Sequence, residues 1–190
     1  MYIMNERETK ILDAAIDVFA RYGVRKATMG DIAEQAGISR PTLYARYANK
    51  DEIMVAAMQL ISERVIAAVT EAWEGVEPIG QRLDIFLDIA IVRFFDQIQQ
   101  MPDASDLLTG QSEGARASQA IAEESKIKLL ARLFDTRSDQ LAAKGVTPIE
   151  LAELFYASSS SFKFTARDAV HLRKLLATLK RSAMVMLGEE

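Results

Sequence analysis

The sequence predicts an all-α protein of about nine helices, with a three-helix N-terminal head and a larger C-terminal helical body. Three observations predict it. Only 4 Pro and 9 Gly occur in 190 residues, while Leu, Ala, Ile, Glu and Arg are plentiful. Apolar residues recur at three- and four-residue steps, and no stretch alternates as a strand would. Thr, Ser or Asn stands just ahead of several periodic stretches, where helix N-caps belong.

The first helix is expected over Glu6 to Tyr22, on the stripe Ile11, Ala14, Ala15, Val18, Phe19 and Tyr22, and Gly23 ends it. Thr28 caps a second helix and Asp31 completes its capping box, with Met29, Ile32, Ala33 and Ala36 facing inward. Gly37 breaks it. A third, short helix follows, with Ser39 as N-cap and Pro41 in its first turn. Asn49, with Glu52 three residues on, opens a long fourth helix that lasts until the break at Gly75 to Gly80. The body then reads as helices over Gln81 to Gln100, Ala117 to Lys144 with a kink near Ser125, Thr147 to about Thr165, and Asp168 to Leu187. Pro102 with the acidic run after it and a loop from Gly110 to Gly114 separate the first two of these. The domain division that follows is 1–50 and 51–190.

About half of the residues are apolar, enough for a real core. The absence of Cys excludes a disulfide framework and thiolate metal sites, and makes the cytoplasm the natural home. The opening MYIMNERETK is charged early and lacks a long apolar core, unlike a signal peptide. The apolar stretch Ile53 to Ser62 is too short to span a bilayer, so no membrane is expected as a partner.

Charge is unevenly spread. The chain carries −4 overall. Between Val18 and Lys50, six basic residues stand against Asp31 and Glu34, a local +4, which leaves −8 for the remainder. A basic head on an acidic body suits an anionic partner for the head alone. Two short helices joined by a Gly turn have helix-turn-helix spacing, in which the second helix enters the major groove of DNA. Ser39, Arg40, Pro41 and Thr42 fall in that helix's first turn. Arg40, Pro41 and Tyr44 share one face, while Ile38 and Leu43 anchor the other. Arg46 and Lys50 are placed to meet phosphates as cations.

The pattern Thr28-Met29-x-Asp31-Ile32-Ala33-x-x-Ala36-Gly37-Ile38-Ser39-x-x-Thr42-Leu43-Tyr44-x-x-Tyr47-x-Asn49-Lys50-Asp51-x-Ile53 resembles the DNA-binding domain of the TetR family of bacterial repressors. The resemblance covers roughly the first 55 residues. It implies that Thr28, Ser39, Arg40, Pro41, Thr42, Tyr44, Tyr47 and Lys50 contact DNA, with Lys50 on a backbone phosphate. Position 47 is usually Phe in the family and position 41 often Gly, so Tyr47 and Pro41 are departures.

A three-helix head reads a half-site, so a double-stranded operator calls for a homodimer. The resemblance implies pairing through the last two helices. Their stripes are Leu151, Leu154, Phe155, Ser158 and Phe162 on one, and Leu172, Leu175, Leu176, Leu179, Ala183 and Met186 on the other. The competing reading packs both stripes into the monomer core. Ser158 to Ser161 is read first as hydroxyls bonded to their own turn or as close packing, and second as a pocket wall. The resemblance also implies a small-molecule effector, for which Trp73, Phe86, Phe94, Phe95, Met101, Phe134 and Phe162 are candidate pocket residues, each more often core than ligand contact.

An enzyme is disfavoured. The single histidine, His171, sits among Asp168, Arg173 and Lys174 as a surface or interface residue, and no nucleophile elbow, phosphate loop or HExxH occurs. Neither a metal nor a cofactor is expected. The alternative is a helical protein-interaction adaptor without specific DNA binding. The favoured expectation is a ligand-responsive transcriptional regulator, a repressor by family habit.

Overall fold

The computed structural model describes residues 6–99 and 113–189. Among them there is no strand, and the helix count comes close to the expected nine. The helices are α1 (Glu6–Tyr22), α2 (Met29–Gln35), α3 (Arg40–Tyr44), α4 (Lys50–Ala72), α5 (Ile79–Leu87), α6 (Arg93–Gln99), α7 (Glu113–Phe134), α8 (Ser138–Ala142), α9 (Pro148–Thr165) and α10 (Ala169–Leu187). Two compact units emerge: Met1–Glu63 with Ile98–Ala122, and Arg64–Gln97 with Glu123–Glu190. The first of these units runs past residue 50 into α4. Ile53, Met54, Ala57 and Leu60 of α4 are buried in the first unit's own core.

That first core is built on α1, which sends Ile11, Leu12, Ala15, Val18 and Phe19 inward. Ile32 and Ala33 of α2 and Leu43 of α3 close over it. The α2 cap is as expected. Thr28 Oγ1 accepts from the Asp31 amide at 3.2 Å, and Asp31 accepts from the Thr28 amide at 2.9 Å. At its other end, Gly37 donates to the Glu34 carbonyl and Ile38 to the Ala33 carbonyl, both at 3.0 Å, the paired bonds that close a helix on a left-handed residue. Gly37 has φ +66°, and that conformation turns the chain into α3.

The second unit's core joins Leu83, Phe86, Leu87 and Ile91 to Leu130 and Phe134, Leu151 and Phe155, and Leu172 and Leu176. The Phe134 and Phe155 rings meet edge to face, 6.0 Å apart. Thr147 and Glu150 form the second capping box, and Asp168 caps α10 from outside it. Three boundaries differ from expectation. A π-helical segment, Asp88–Val92, interrupts the helix expected over 81–100. The long helix expected to kink near Ser125 is continuous there and breaks at a 3-10 turn, Asp135–Arg137, where no Gly or Pro marks the sequence. Gly114 lies inside α7 rather than in a loop. Pro102, the acidic run after it and Gly110 lie outside the described residues.

By length and composition alone α4 would suffice to cross a bilayer, with a mean hydropathy of 1.5, which the shorter stretch read from sequence understated. Its Ile53 and Leu60 are buried in the first core and its Val69 in the second.

Two outcomes follow. Gly37→Ala should cost about 1–2 kcal/mol, because nothing lies within 4 Å of the added Cβ and only the left-handed backbone is strained. Gly37→Asn should cost less, and urea unfolding of the two variants measures the difference. Hydrogen bonds from Thr28 and Thr147 hold the Asp31 and Glu150 carboxyls below their ordinary 3.8 and 4.5. Stability linked to a lowered pKa is present above the ordinary value and is lost as pH falls through the lowered one. The urea midpoint of Asp31→Asn/Glu150→Gln should accordingly fall less steeply below about pH 4.5 than that of the unsubstituted protein.

Candidate nucleic-acid interface

The residues expected at DNA separate into an outward set and a bracing set. On α3, Ser39 Oγ accepts from the Thr42 amide at 3.2 Å and lies 2.8 Å from the Thr42 hydroxyl. Pro41 fills the first turn, where a missing N–H costs nothing. Leu43 alone of this helix is buried, fully, and it fixes the helix's rotation. Arg40, Pro41 and Tyr44 consequently face solvent, with Tyr44 53% exposed. The Arg40 guanidinium lies across the start of α2. A Cβ built on Gly30 would stand 2.5 Å from Arg40 Nη2 and 2.9 Å from Cζ. Gly30 is thus the one α2 residue type that lets Arg40 rest where it does.

Tyr47, Arg46 and Lys50 are held differently from the expectation. Tyr47 is 7% exposed, and its hydroxyl donates to Glu8 Oε1 at 3.2 Å. Arg46 Nη2 meets the same oxygen at 2.7 Å. Glu8 itself is buried. Lys50 Nζ donates to the carbonyls of Val24, Ala27 and Arg25 at 2.5, 2.9 and 3.3 Å. These side chains brace the α1–α2 connection and the end of the α3 turn. Thr28 is exposed at the α2 N-terminus, its hydroxyl shared with Asp31. Glu8 was missed in the sequence. A carboxylate in the first turn of an amphipathic helix looks like an ordinary helix-start residue, and its partners lie 38 and 39 positions away.

In the body, the candidate pocket residues scatter. Phe86, Phe95 and Phe134 are buried in the core itself. Trp73 is a clasp: its Nε1 donates to the Arg82 carbonyl at 2.8 Å, and the Arg82 guanidinium sits 6.0 Å from its ring. Phe94 and Phe162 are half-buried, and Met101 lies outside the described residues. The two interface stripes divide likewise. Leu151, Phe155, Leu172, Leu176 and Ala183 are buried in the core of this chain, because inward and outward apolar positions are adjacent on α9 and α10. Leu154 is 62% exposed. Ser158, Phe162, Leu175 and Leu179 line an open groove of about 390 Å³ along these helices. His171 joins that groove, its Nδ1 accepting from the Arg167 amide at 3.2 Å. Ser159 Oγ donates to the Tyr156 carbonyl at 3.1 Å, so this hydroxyl bonds back to its own turn. No cluster that could hold a metal occurs among the described residues.

Residues 11–57, which span α1 to the start of α4, match the model for bacterial regulatory proteins of the tetR family. Over these residues the chain is similar to the TetR family. It is similar to the transcriptional activator FasR of Mycolicibacterium smegmatis, 34% identical over 50% of this chain and 42% of FasR. The match thus spans less than half of that relative's length. The transcriptional repressor KstR of Rhodococcus jostii is 27% identical over 78% of this chain and 71% of KstR. In fold, the chain is similar to the fatty acid degradation regulator FadR of Bacillus halodurans, with a TM-score of 0.69 over 98% of this chain and 97% of that one, at 16% identity. Within the match over residues 11–57, Tyr47 carries a hydroxyl that is spent internally.

Tyr47→Phe should therefore cost about 1.5–3 kcal/mol in urea unfolding, the range for a hydrogen bond to a charged group. Tyr44→Ala should leave the unfolding midpoint unchanged, since that ring supports nothing in the core.

Proposed function

We propose that this chain is a DNA-binding transcriptional regulator that reads a palindromic operator as a homodimer and is released by a small molecule. The observation that carries the reading is the outward face of α3. Arg40, Pro41 and Tyr44 are exposed on a helix whose own cap, buried Leu43 and neighbours fix its orientation. Such a helix presents rigid donors and a long amphipathic arm to base edges, with little to reorganise on binding. Thr28, Ser39 and Thr42 lie beside this face and add hydroxyls suited to phosphate oxygens. In this reading Tyr47 is a bracing residue. Lys50 is one as well, and its contact with phosphate is made while it holds the loop. Arg46, whose side chain is 43% exposed, would exchange Glu8 for a phosphate on binding.

The second copy packs on the α9–α10 face, over Leu154, Ser158, Phe162, Leu175 and Leu179. This is half of the stripe expected from sequence, the remainder being core. Repression is the sign we assign, and the cytoplasm the compartment, where an operator is reached. FasR is an activator and KstR a repressor by name, so the sign is decided by experiment on this protein.

Selection of bound duplexes from a random pool, followed by anisotropy titration of the winner against a scrambled duplex at several salt concentrations, tests the proposal. A palindromic winner, a large margin over the scrambled duplex and a steep salt slope are expected. Equal weak binding to both would favour a helical protein-interaction adaptor. With the winner in hand, Tyr44→Ala should weaken binding by about ten- to a hundredfold, the scale of one base contact. Gly30→Ala should alter affinity or base preference at unchanged stability, because it displaces the flexible end of Arg40 alone. Lys50→Ala should lower both stability and affinity.

A further inference from the structure

Gly30 is a glycine that its own backbone does not require. It holds the second position of α2, a helix of seven residues, and it is not one of the glycines with a positive φ. Glycine in a helix is less favourable than Ala, because it brings backbone freedom that folding must remove. What its missing side chain leaves room for is Arg40. A Cβ built on Gly30 would have three Arg40 atoms as its nearest neighbours, Nη2 at 2.5 Å, Cζ at 2.9 Å and Nε at 3.1 Å. The guanidinium therefore occupies the space where a side chain would begin. Even the methyl group of Ala would push it away. Local rules of this kind are broken most often at functional sites.

Two further observations describe that seat. Asp31 adjoins it in the chain. Hydrogen bonds from the Thr28 hydroxyl and amide, and then the charge of Arg40, hold the Asp31 carboxyl below its ordinary range. Arg40 thus rests near a fixed negative charge. It is nevertheless exposed, and among the described residues its guanidinium makes no hydrogen bond or ion pair. All five of its N–H donors are left for a ligand.

These features choose between the two partners that a duplex offers. A phosphate is an anion and meets Asp31 as a like charge. A base edge is neutral and does not. Among base edges in the major groove, guanine presents two acceptors, O6 and N7, side by side, and a guanidinium meets both at once. Adenine and cytosine each place a donor there, and thymine has a single acceptor beside its methyl group.

We propose that Gly30 is a specificity-determining residue, which seats the Arg40 guanidinium so that Arg40 reads one guanine in each half-site of the operator. The inference rests on the DNA-binding reading given above and names a base that reading leaves open. Arg40 makes the contact. Gly30 acts through Arg40, as a positioning residue. Asp31 keeps the seat unattractive to phosphate.

The test uses the full chain and the duplex that the unsubstituted protein selects from the random pool. Each guanine is replaced in turn, in both half-sites, by 7-deazaguanine, which lacks N7, or by hypoxanthine, which keeps O6 and N7 and lacks only the minor-groove amino group. At one guanine, 7-deazaguanine should weaken binding about tenfold while hypoxanthine leaves it unchanged. In Arg40→Ala that cost should vanish. In Gly30→Ala it should fall to about threefold or less, as expected for residues in contact. Each cost compares two duplexes on one variant, so a general loss of affinity cancels. Urea unfolding checks that Gly30→Ala is folded, with a midpoint no lower than that of the unsubstituted protein. An Arg40→Ala variant that weakens every duplex by one common factor makes Arg40 a phosphate contact and overturns the inference. A guanine cost that Gly30→Ala leaves at full size overturns it as well. A palindromic winner with no guanine coupled to Arg40 removes the inference and leaves the regulator. No enriched duplex at all removes the regulator reading, and the inference with it.

Discussion

Everything the head presents outward depends on holding α3, a helix of five residues, by a single fully buried side chain, Leu43. A helix this short has no stability of its own, because nucleation outweighs the few bonds it forms. Its geometry is imposed from both ends. Ser39 caps one end, and the Gly37 turn fixes where that cap begins. Beyond the other end, Arg46 and Tyr47 are tied to Glu8, a residue of α1. Lys50 then ties the start of α4 to the loop before α2. With these constraints in place, Arg40 and Tyr44 have one orientation available to their backbone and only side-chain freedom left.

The head was largely legible in the sequence because its signals are local. Thr28 with Asp31, Ser39 before Pro41, and Gly37 each act within a few residues. What was not legible is what those residues lean on. Nothing local to Tyr47 says that its hydroxyl turns inward to Glu8, and nothing local to Lys50 names three carbonyls more than twenty positions earlier. The family pattern points to DNA at both positions, and the geometry adds a bracing contact at each.

The body was less legible for a different reason. On α9 and α10, Leu154 and Phe155 are neighbours in sequence yet one is exposed and the other buried. Periodicity shows that a helix has apolar faces, not which of two faces meets its own chain. The break at Asp135–Arg137 and the π-helical segment carry no Gly or Pro, so composition is silent about them. Lys126 and Lys163 look like ordinary helix residues until burial and the Phe94 ring show that they are not.

The π-helical segment gives the body a kind of adjustability that the head lacks. A π turn accommodates one residue more than the α-helical ladder would, and it is five residues long here. Removing a single residue between Asp88 and Val92 would return the ladder to the α register. The bulge already absorbs that residue, so the helix after it would keep its face. Phe94, beside Lys163, and Leu83 and Phe86, which precede the segment, would all keep their places, and only side chains within the segment would be redistributed. A one-residue deletion, an ordinary genetic event, would thus smooth the segment without rebuilding the protein that carries it.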